Sequence, residues 1–335
     1  MTGKLSRIVL LAGWAAIGLT GVLRAADCRA PFAVGFRVEQ IPGGPKMAVW
    51  YPTSGKEAAF AYSKDLSGKV SKDGAPAACR GLPLLVFSHG LGGCGTQSIF
   101  FTEQITRLGY VVMAPDHHDA SCSVDGSGGL SLKASEESLL EPQKWTESTH
   151  ADRRRDIEAV IDYAVEKSDW RKLIDVSKIG GVGHSLGGYT LLGMAGGWSS
   201  WNAPRLKAIL LFSPYAMPFL TQERLARIRV PVMYQGAQFD IAITPFLKGD
   251  KGAYALGRSN KFFVELKGGS HFEWTNAVCL GIKTVNDCLA KRANAKLIVT
   301  YGATFLERFL DRDRKALAKL KGHGLATYKQ SDSSK

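Results

Sequence analysis

The chain has 335 residues, 45% apolar and 22% charged, and 43 Lys plus Arg against 30 Asp plus Glu leave a formal charge of +13. That apolar content excludes a disordered chain, 37 glycines without a three-residue period exclude a collagen-like one, and no solenoid repeat is present. The length suits one large α/β domain, and the charge alone invites a nucleic-acid or anionic-surface partner.

Lys4 and Arg7 precede an apolar run from Ile8 to Leu23, and small residues follow at Ala25 and Ala26. This is the layout of a secretory signal peptide, so residues 1–25 are expected to be removed and the remainder to be secreted or periplasmic. The run is short and contains glycine, which argues against a permanent membrane span. Cleavage after Ala25 would remove Lys4, Arg7 and Arg24 and no acid, taking three of the positive charges with it.

Phe36–Ile41 and Lys46–Tyr51 read as a hairpin turned by Pro42-Gly43-Gly44. Residues 53–82 are polar and rich in Gly, Ser and Lys, and are expected to be a surface insertion. Leu82–Ser88 is a continuous apolar run, the pattern of a strand buried on both faces. A helix is expected over Thr96–Leu108 and a strand over Tyr110–Ala114. Residues 119–147 lack periodicity, so a second insertion is expected there as a rim loop. Asp152–Ser168 places Ile157, Val160, Ile161 and Ala164 at helical spacing. Lys178–Gly183 is a strand, followed by a helix from about Leu186. Leu206–Phe212, Val230–Tyr234 and Phe262–Leu266 are further strands. The last helix is expected over Lys296–Asp311, with Ile298, Tyr301, Phe305 and Phe309 on one stripe. Strands alternating with helices predict one α/β domain over 26–312 with a mostly parallel central sheet flanked by helices, and 313–335 read as a basic C-terminal tail.

Export gives the six cysteines a meaning, because disulfides are the default in an oxidising compartment. Cys279 and Cys288 enclose a short polar loop and are the first pair to expect. Cys94–Cys122 and Cys28–Cys79 would complete the set, although six cysteines allow about 15 pairings and sequence alone does not choose among them.

The strongest local signal is Gly183-His184-Ser185-Leu186-Gly187, followed by Gly188, where a strand turns into a helix. A serine there is forced onto a tight turn that exposes its Oγ, and the flanking glycines leave room for the crossing. A serine hydroxyl needs a base. His271, in Gly268-Gly269-Ser270-His271-Phe272, follows the last predicted strand and arrives late in the chain, where this motif's base is expected. His184 sits beside the serine and reads as a packing residue, and His323 has no strand to position it. The base in turn needs a carboxylate to set its tautomer. Asp240 follows the strand Val230–Tyr234, whereas Asp250 lies in a Lys-Gly-Asp-Lys-Gly turn and reads as solvated. An oxyanion would be met by backbone amides. Leu186 supplies one, and Leu91 the other, from the glycine-rich loop Ser88-His89-Gly90-Leu91-Gly92-Gly93. Tyr215, Phe272 and Trp274 flank these loops as candidate substrate contacts, with hydrophobic packing as the alternative.

Asp116-His117-His118-Asp119 contains metal-ligand residue types, but neighbours on one loop rarely converge, so polar structural contacts are expected there and no metal or other cofactor. Arg153-Arg154-Arg155 reads as a solvated face. No nucleic-acid-binding motif accompanies the charge, so no nucleic-acid partner is expected; an anionic-surface attraction stays open.

With these residues in place, the sequence resembles the α/β-hydrolase superfamily in its secreted esterase branch. The front half is similar to platelet-activating-factor acetylhydrolases and dienelactone-hydrolase-like proteins, through Val49-Trp50-Tyr51-Pro52, Val86-Phe87-Ser88-His89-Gly90-Leu91-Gly92 and Gly183–Gly188. The back half is similar to bacterial cutinases and polyester (PET-type) hydrolases, through Gly236-Ala237-Gln238-Phe239-Asp240, Glu265–Phe272 and Phe305–Asp311. The first group carries its acid after the strand that matches Leu206–Phe212, where this chain has Ser213; the acid is therefore expected from Asp240, as in the second group. Leu91 stands where the cutinase-like group has an aromatic residue, and Tyr215 where polyester hydrolases often have a tryptophan. The resemblance implies an α/β-hydrolase fold and a carboxylic-ester hydrolase acting on a small-molecule or polymeric ester. A hydrolase of thioesters, lactones or amides, and a non-catalytic binding protein on a hydrolase scaffold, are the alternatives.

Overall fold

The structure, a computed structural model, describes residues 28–126 and 134–331. The expected signal segment, the middle of the 119–147 insertion and the last four residues of the tail lie outside the described residues.

Among the described residues eleven strands form one sheet: β1 (Ala33–Gln40), β2 (Lys46–Thr53), β3 (Ala58–Ala61), β4 (Ser67–Lys72), β5 (Leu82–Ser88), β6 (Val111–Pro115), β7 (Ile174–His184), β8 (Leu206–Phe212), β9 (Val232–Ala237), β10 (Lys261–Leu266) and β11 (Leu325–Ser331). Their spatial order is β11-β10-β9-β8-β7-β5-β6-β2-β1-β4-β3. The six strands from β10 to β6 in that order pair in parallel. Parallel neighbours need crossovers, and helices supply them. These are α1 (Ile99–Arg107), α2 (Ala151–Asp162), α3 (Leu186–Leu192), α4 (Gln222–Arg227), α5 (Thr244–Lys248) and α6 (Ala253–Leu256), while α7 (Val285–Lys291) and α8 (Ala293–Phe309) lie between the antiparallel strands β10 and β11.

The continuous apolar runs explain why the central strands sit inside. Along β5, Leu84 and Val86 pack on one face with Ile157, Val160 and Ile161 of α2 and Leu191 of α3. Leu85 and Phe87 pack on the other, with Phe100 and Phe101 of α1 and Ile298 and Phe305 of α8. Alternation along one strand thus feeds two cores, and each fully buried Leu or Phe contributes about 1.5–3 kcal/mol of transfer free energy. The expected β5 and β8 match the observed spans, and the expected hairpin is the antiparallel pair β1–β2. The helix expected to Ser168 ends as α-helix at Asp162 and continues as a π-helical turn over Tyr163–Lys167.

Two expectations about segments are corrected. The tail read at 313–335 is structured over its described part: β11 pairs antiparallel with β10, with Val264 opposite Tyr328. Leu320 and Leu325 are buried, and Thr327 Oγ1 donates to Glu265 Oε2 at 2.5 Å, so anchors at alternate depths outweigh the local charge. The segment 53–82 is also not a plain surface insertion. It forms the hairpin β3–β4, and β4 joins β1 in parallel. Leu66 and Val70 are buried, and Phe60 and Tyr62 pack on Phe36 at ring separations of 5.2 and 5.1 Å.

All three expected disulfides form: Cys28–Cys79, Cys94–Cys122 and Cys279–Cys288. Cys94–Cys122 ties the loop after β5 to the start of the rim segment, two features that border the site described next. No described helix is long and apolar enough to cross a membrane.

Candidate active site

Ser185 sits between β7 and α3 with φ 52° and ψ −115°, a left-handed conformation that non-glycine residues rarely adopt. Its neighbours make that turn possible. A Cβ on Gly187 would lie 1.9 Å from Ser88 O, one on Gly183 2.5 Å from Gly187 O, and one on Gly188 2.4 Å from Pro214 Cβ. Ser185 N–H donates to Phe212 O at 3.0 Å, which pins the elbow to the adjacent strand.

Three strand ends then deliver the partners. His271 Nε2 lies 2.9 Å from Ser185 Oγ, and His271 Nδ1 lies 2.9 Å from Asp240 Oδ2. Asp240 is buried, and the turn after β9 holds it: its N–H donates to Ala237 O, and its own carbonyl accepts from Thr244 N. Ser213, at the end of β8, donates through its hydroxyl to Asp240 Oδ2 and sits 3.0 Å from His271 Nδ1. The sequence shows Ser213 only as the residue in place of an acid; its hydrogen bond to Asp240 was not foreseen. His184 packs as expected. Burial, with His271 beside it, pushes its pKa down to about 3, so it is neutral, and its Nε2 lies 2.9 Å from His271 O.

The loop after β5 faces the elbow from the other side. Among the described residues, neither the Leu91 nor the Leu186 amide has an acceptor. The loop is held from beneath by Arg153, and here the reading of 153–155 as a solvated face is corrected. Arg153 is fully buried; Arg154 and Arg155 remain nearer the surface. Its guanidinium donates to both Asp119 oxygens at 2.8 Å, to His89 O at 2.7 Å and to Gly90 O at 3.2 Å. Burial pushes Asp119 up, but Arg153 outweighs it and leaves the carboxyl below its ordinary range. Burial also holds His89 well below its ordinary value, so its ring is neutral. His89 Nε2 accepts from His117 N at 3.0 Å, which leaves the Nδ1 proton to donate to Gly90 O at 2.7 Å. Gly90 O and Leu91 N belong to one planar peptide unit. Turning that carbonyl toward Arg153 and His89 turns the Leu91 N–H the opposite way.

The expected substrate contacts fare unevenly. Trp274 is fully buried, with Nε1 donating to Gln235 Oε1 at 2.9 Å, so it supports the sheet rather than touching a ligand. Tyr215 is 2% exposed; its hydroxyl donates to Leu139 O at 2.7 Å and its ring lies 4.7 Å from Trp145, so it packs rather than forming an open platform. Phe272 is 62% exposed beside His271. Phe239 and Ile241, which flank Asp240, are 69% and 79% exposed. Sequence reading passed over both, though two apolar residues bracketing a buried acid are a visible signal.

A mainly parallel sheet that presents a serine on a strand–helix elbow, with a histidine and an aspartate arriving from later strand ends, defines an α/β-hydrolase of the serine-esterase type. The chain belongs to the PET hydrolase-like family, whose model matches residues 85–320. Among curated proteins it is 26% identical over 228 residues to Cutinase 2 of Thermobifida cellulosilytica, covering 67% of this chain and 77% of that one. Cutinase cut1 of Thermobifida fusca is also 26% identical over 228 residues, and there the match spans 63% of the relative. A platelet-activating factor acetylhydrolase of Canis lupus familiaris is 28% identical over 180 residues, 42% of this chain and 40% of that one. Both branches of the expected resemblance are therefore present.

Proposed function

We propose that the chain is an exported carboxylic-ester hydrolase working through an acyl-enzyme on Ser185. The observation that carries this is the continuous hydrogen-bonded line from Ser185 Oγ through His271 to Asp240, 2.9 Å at each step. Ser185 Oγ attacks the ester carbonyl carbon while His271 Nε2 takes its proton. Asp240, assisted by Ser213, holds the Nδ1 proton and stabilises the imidazolium. The carbonyl oxygen gains negative charge, and the Leu91 and Leu186 amides receive it. His271 returns the proton to the leaving alcohol. Water then adds to the acyl-enzyme by the same route and releases the acid and Ser185. No step calls for a metal or organic cofactor.

The substrate is a short-chain acyl ester or an aromatic polyester. Exposed Phe239, Ile241 and Phe272 beside the acid and base support an apolar acyl or polymer segment lying across the site. The cutinases in the comparison support ester chemistry, and the three disulfides support an oxidising destination. The test is hydrolysis of short-chain nitrophenyl esters and of an aromatic polyester film by wild type and Ser185→Ala. Equal rates in the two proteins would sink the assignment. A thioester, lactone and amide panel run beside it separates the ester from the other acyl bonds, which share the tetrahedral intermediate.

A further inference from the structure

The run Asp116-His117-His118-Asp119 does not converge on itself. Asp116 accepts from Gly95 N and Val124 N at 2.9 Å, His117 Nδ1 lies 2.8 Å from Asp156 Oδ2, and Asp119 holds Arg153. His118 turns elsewhere. It meets Glu136 of the rim segment and His150 and Asp152 at the start of α2, and one ligand atom from each of the four lies within 4.8 Å of the others. We propose that His118, Glu136, His150 and Asp152 bind a single divalent transition-metal ion of the zinc class, which clamps the rim segment to α2.

Three features carry this beyond a chance group of polar residues. The donor set is two imidazoles and two carboxylates, which suits a four-coordinate zinc-class ion better than calcium or magnesium, whose sites are built from oxygens. Glu136 Oε1 stands 3.7 Å from both His118 Nε2 and His150 Nδ1, and Asp152 Oδ2 contacts His118 Nδ1. Ligands about 2.0–2.1 Å from a tetrahedral ion are about 3.3 Å apart, so closing the set takes small side-chain movements.

The second feature is independent of the grouping. The His150 side chain is 1% exposed, and its Nδ1 points at Glu136 with no hydrogen-bond partner. A buried ring nitrogen without a partner is costly unless something fills its place. On the other side of the ring, Nε2 lies 3.0 Å from Ser135 Oγ and accepts from the Glu136 amide at 3.4 Å. Binding an ion through Nδ1 would exchange that long amide contact for an Nε2–H donating to the Ser135 hydroxyl, the usual outer-partner arrangement of a metal-bound histidine.

The third feature is charge. Among the described residues, the ion pairs of Glu136 and Asp152 run only to these histidines, while the nearby Arg153 is matched by Asp119. Among the described residues two carboxylates therefore meet here with no lysine or arginine paired to them, a balance that a divalent cation completes. Two of the four ligands also adjoin the residues beneath the Leu91 loop in sequence: His118 lies between His117 and Asp119, and Asp152 precedes Arg153.

The experiment uses the whole chain, stripped with a chelator and titrated by calorimetry with Zn2+, Co2+ and Ca2+, with visible absorption recorded for Co2+. The expected result is one Zn2+ or Co2+ per chain, an intense tetrahedral-type Co2+ spectrum, no comparable Ca2+ binding, and a higher melting temperature with Zn2+. His118→Ala and Glu136→Gln change partly exposed side chains. Each should weaken Zn2+ binding by at least about tenfold while leaving the far-ultraviolet circular dichroism spectrum unchanged. No uptake by wild type, uptake that both variants keep at full affinity, or a preference for Ca2+ would each overturn the assignment.

Discussion

The two halves of the proposed catalytic cleft are built differently. The half holding Ser185, Asp240 and His271 is set by backbone: each residue leaves a strand end, and tight turns with main-chain hydrogen bonds fix it. The half presenting Leu91 is set by side chains, with Arg153, Asp119, His89 and His117 joined in a buried polar cluster beneath the loop. The first half tolerates no change of reacting group but owes little stability to it. The second does no chemistry itself, yet it concentrates a buried charge pair whose disruption reaches the whole fold.

Four substitutions measure that contrast. Ser185→Ala should cost on the order of 10^5-fold in kcat and leave the melting temperature nearly unchanged, because only the nucleophile is lost. Arg153→Met should act mainly on stability, with a smaller loss of kcat. It strands Asp119 as an uncompensated buried carboxylate and should cost about 3–5 kcal/mol in denaturant unfolding. Pairing it with Asp119→Leu should recover part of that stability, whereas kcat should stay depressed because Gly90 O keeps His89 but has lost Arg153 as a donor; full recovery of kcat would break the positioning argument. Ser213→Ala removes one hydrogen bond to a charged acceptor, about 1.5–3 kcal/mol, and should lower kcat about tenfold or more with KM little affected.

A pH-dependent effect lies outside the cleft and serves as the reference. Glu103 of α1 is buried, and burial raises its pKa to about 7. Its protonated form is the one the folded state favours, so stability should fall as pH rises from about 4.5, the unfolded value, to about 7, and change no further from this source above that. Glu103→Gln should flatten that slope in a pH series of melting temperatures. An unchanged slope would assign the pH dependence to Asp156, which burial raises to about 6 beside His117.

What was legible in the sequence follows the same division. Ser185, Asp240, His271, Leu186 and Leu91 each sit next to an apolar run or a glycine-rich turn, so a local pattern marks them. The spans of β5 and β8 were legible because unbroken apolar runs leave no other reading. Arg153 was not, since its partners Asp119 and His89 lie 34 and 64 residues earlier and its neighbours are ordinary surface arginines. Trp274 was left open between contact and packing for a related reason: proximity to His271 in sequence says nothing about which side of the loop its ring takes. β11 escaped because its apolar anchors are sparse among lysines, and only the waiting edge of β10 makes it a strand. The cluster around His118 joins three separate segments, which no local spacing could announce.

The capture of that last strand bears on how copies of this molecule behave together. A parallel sheet with a bare outer strand would offer its unpaired N–H and C=O groups as a template for another chain. Here the catalytic strands are all interior. On one side the sheet ends in β3, four residues long and mostly exposed; on the other it ends in β11, which places Lys329 on the outermost strand. A stub and a lysine are poor partners for edge pairing. At β11, a small share of the positive charge that first suggested a binding partner discourages self-association.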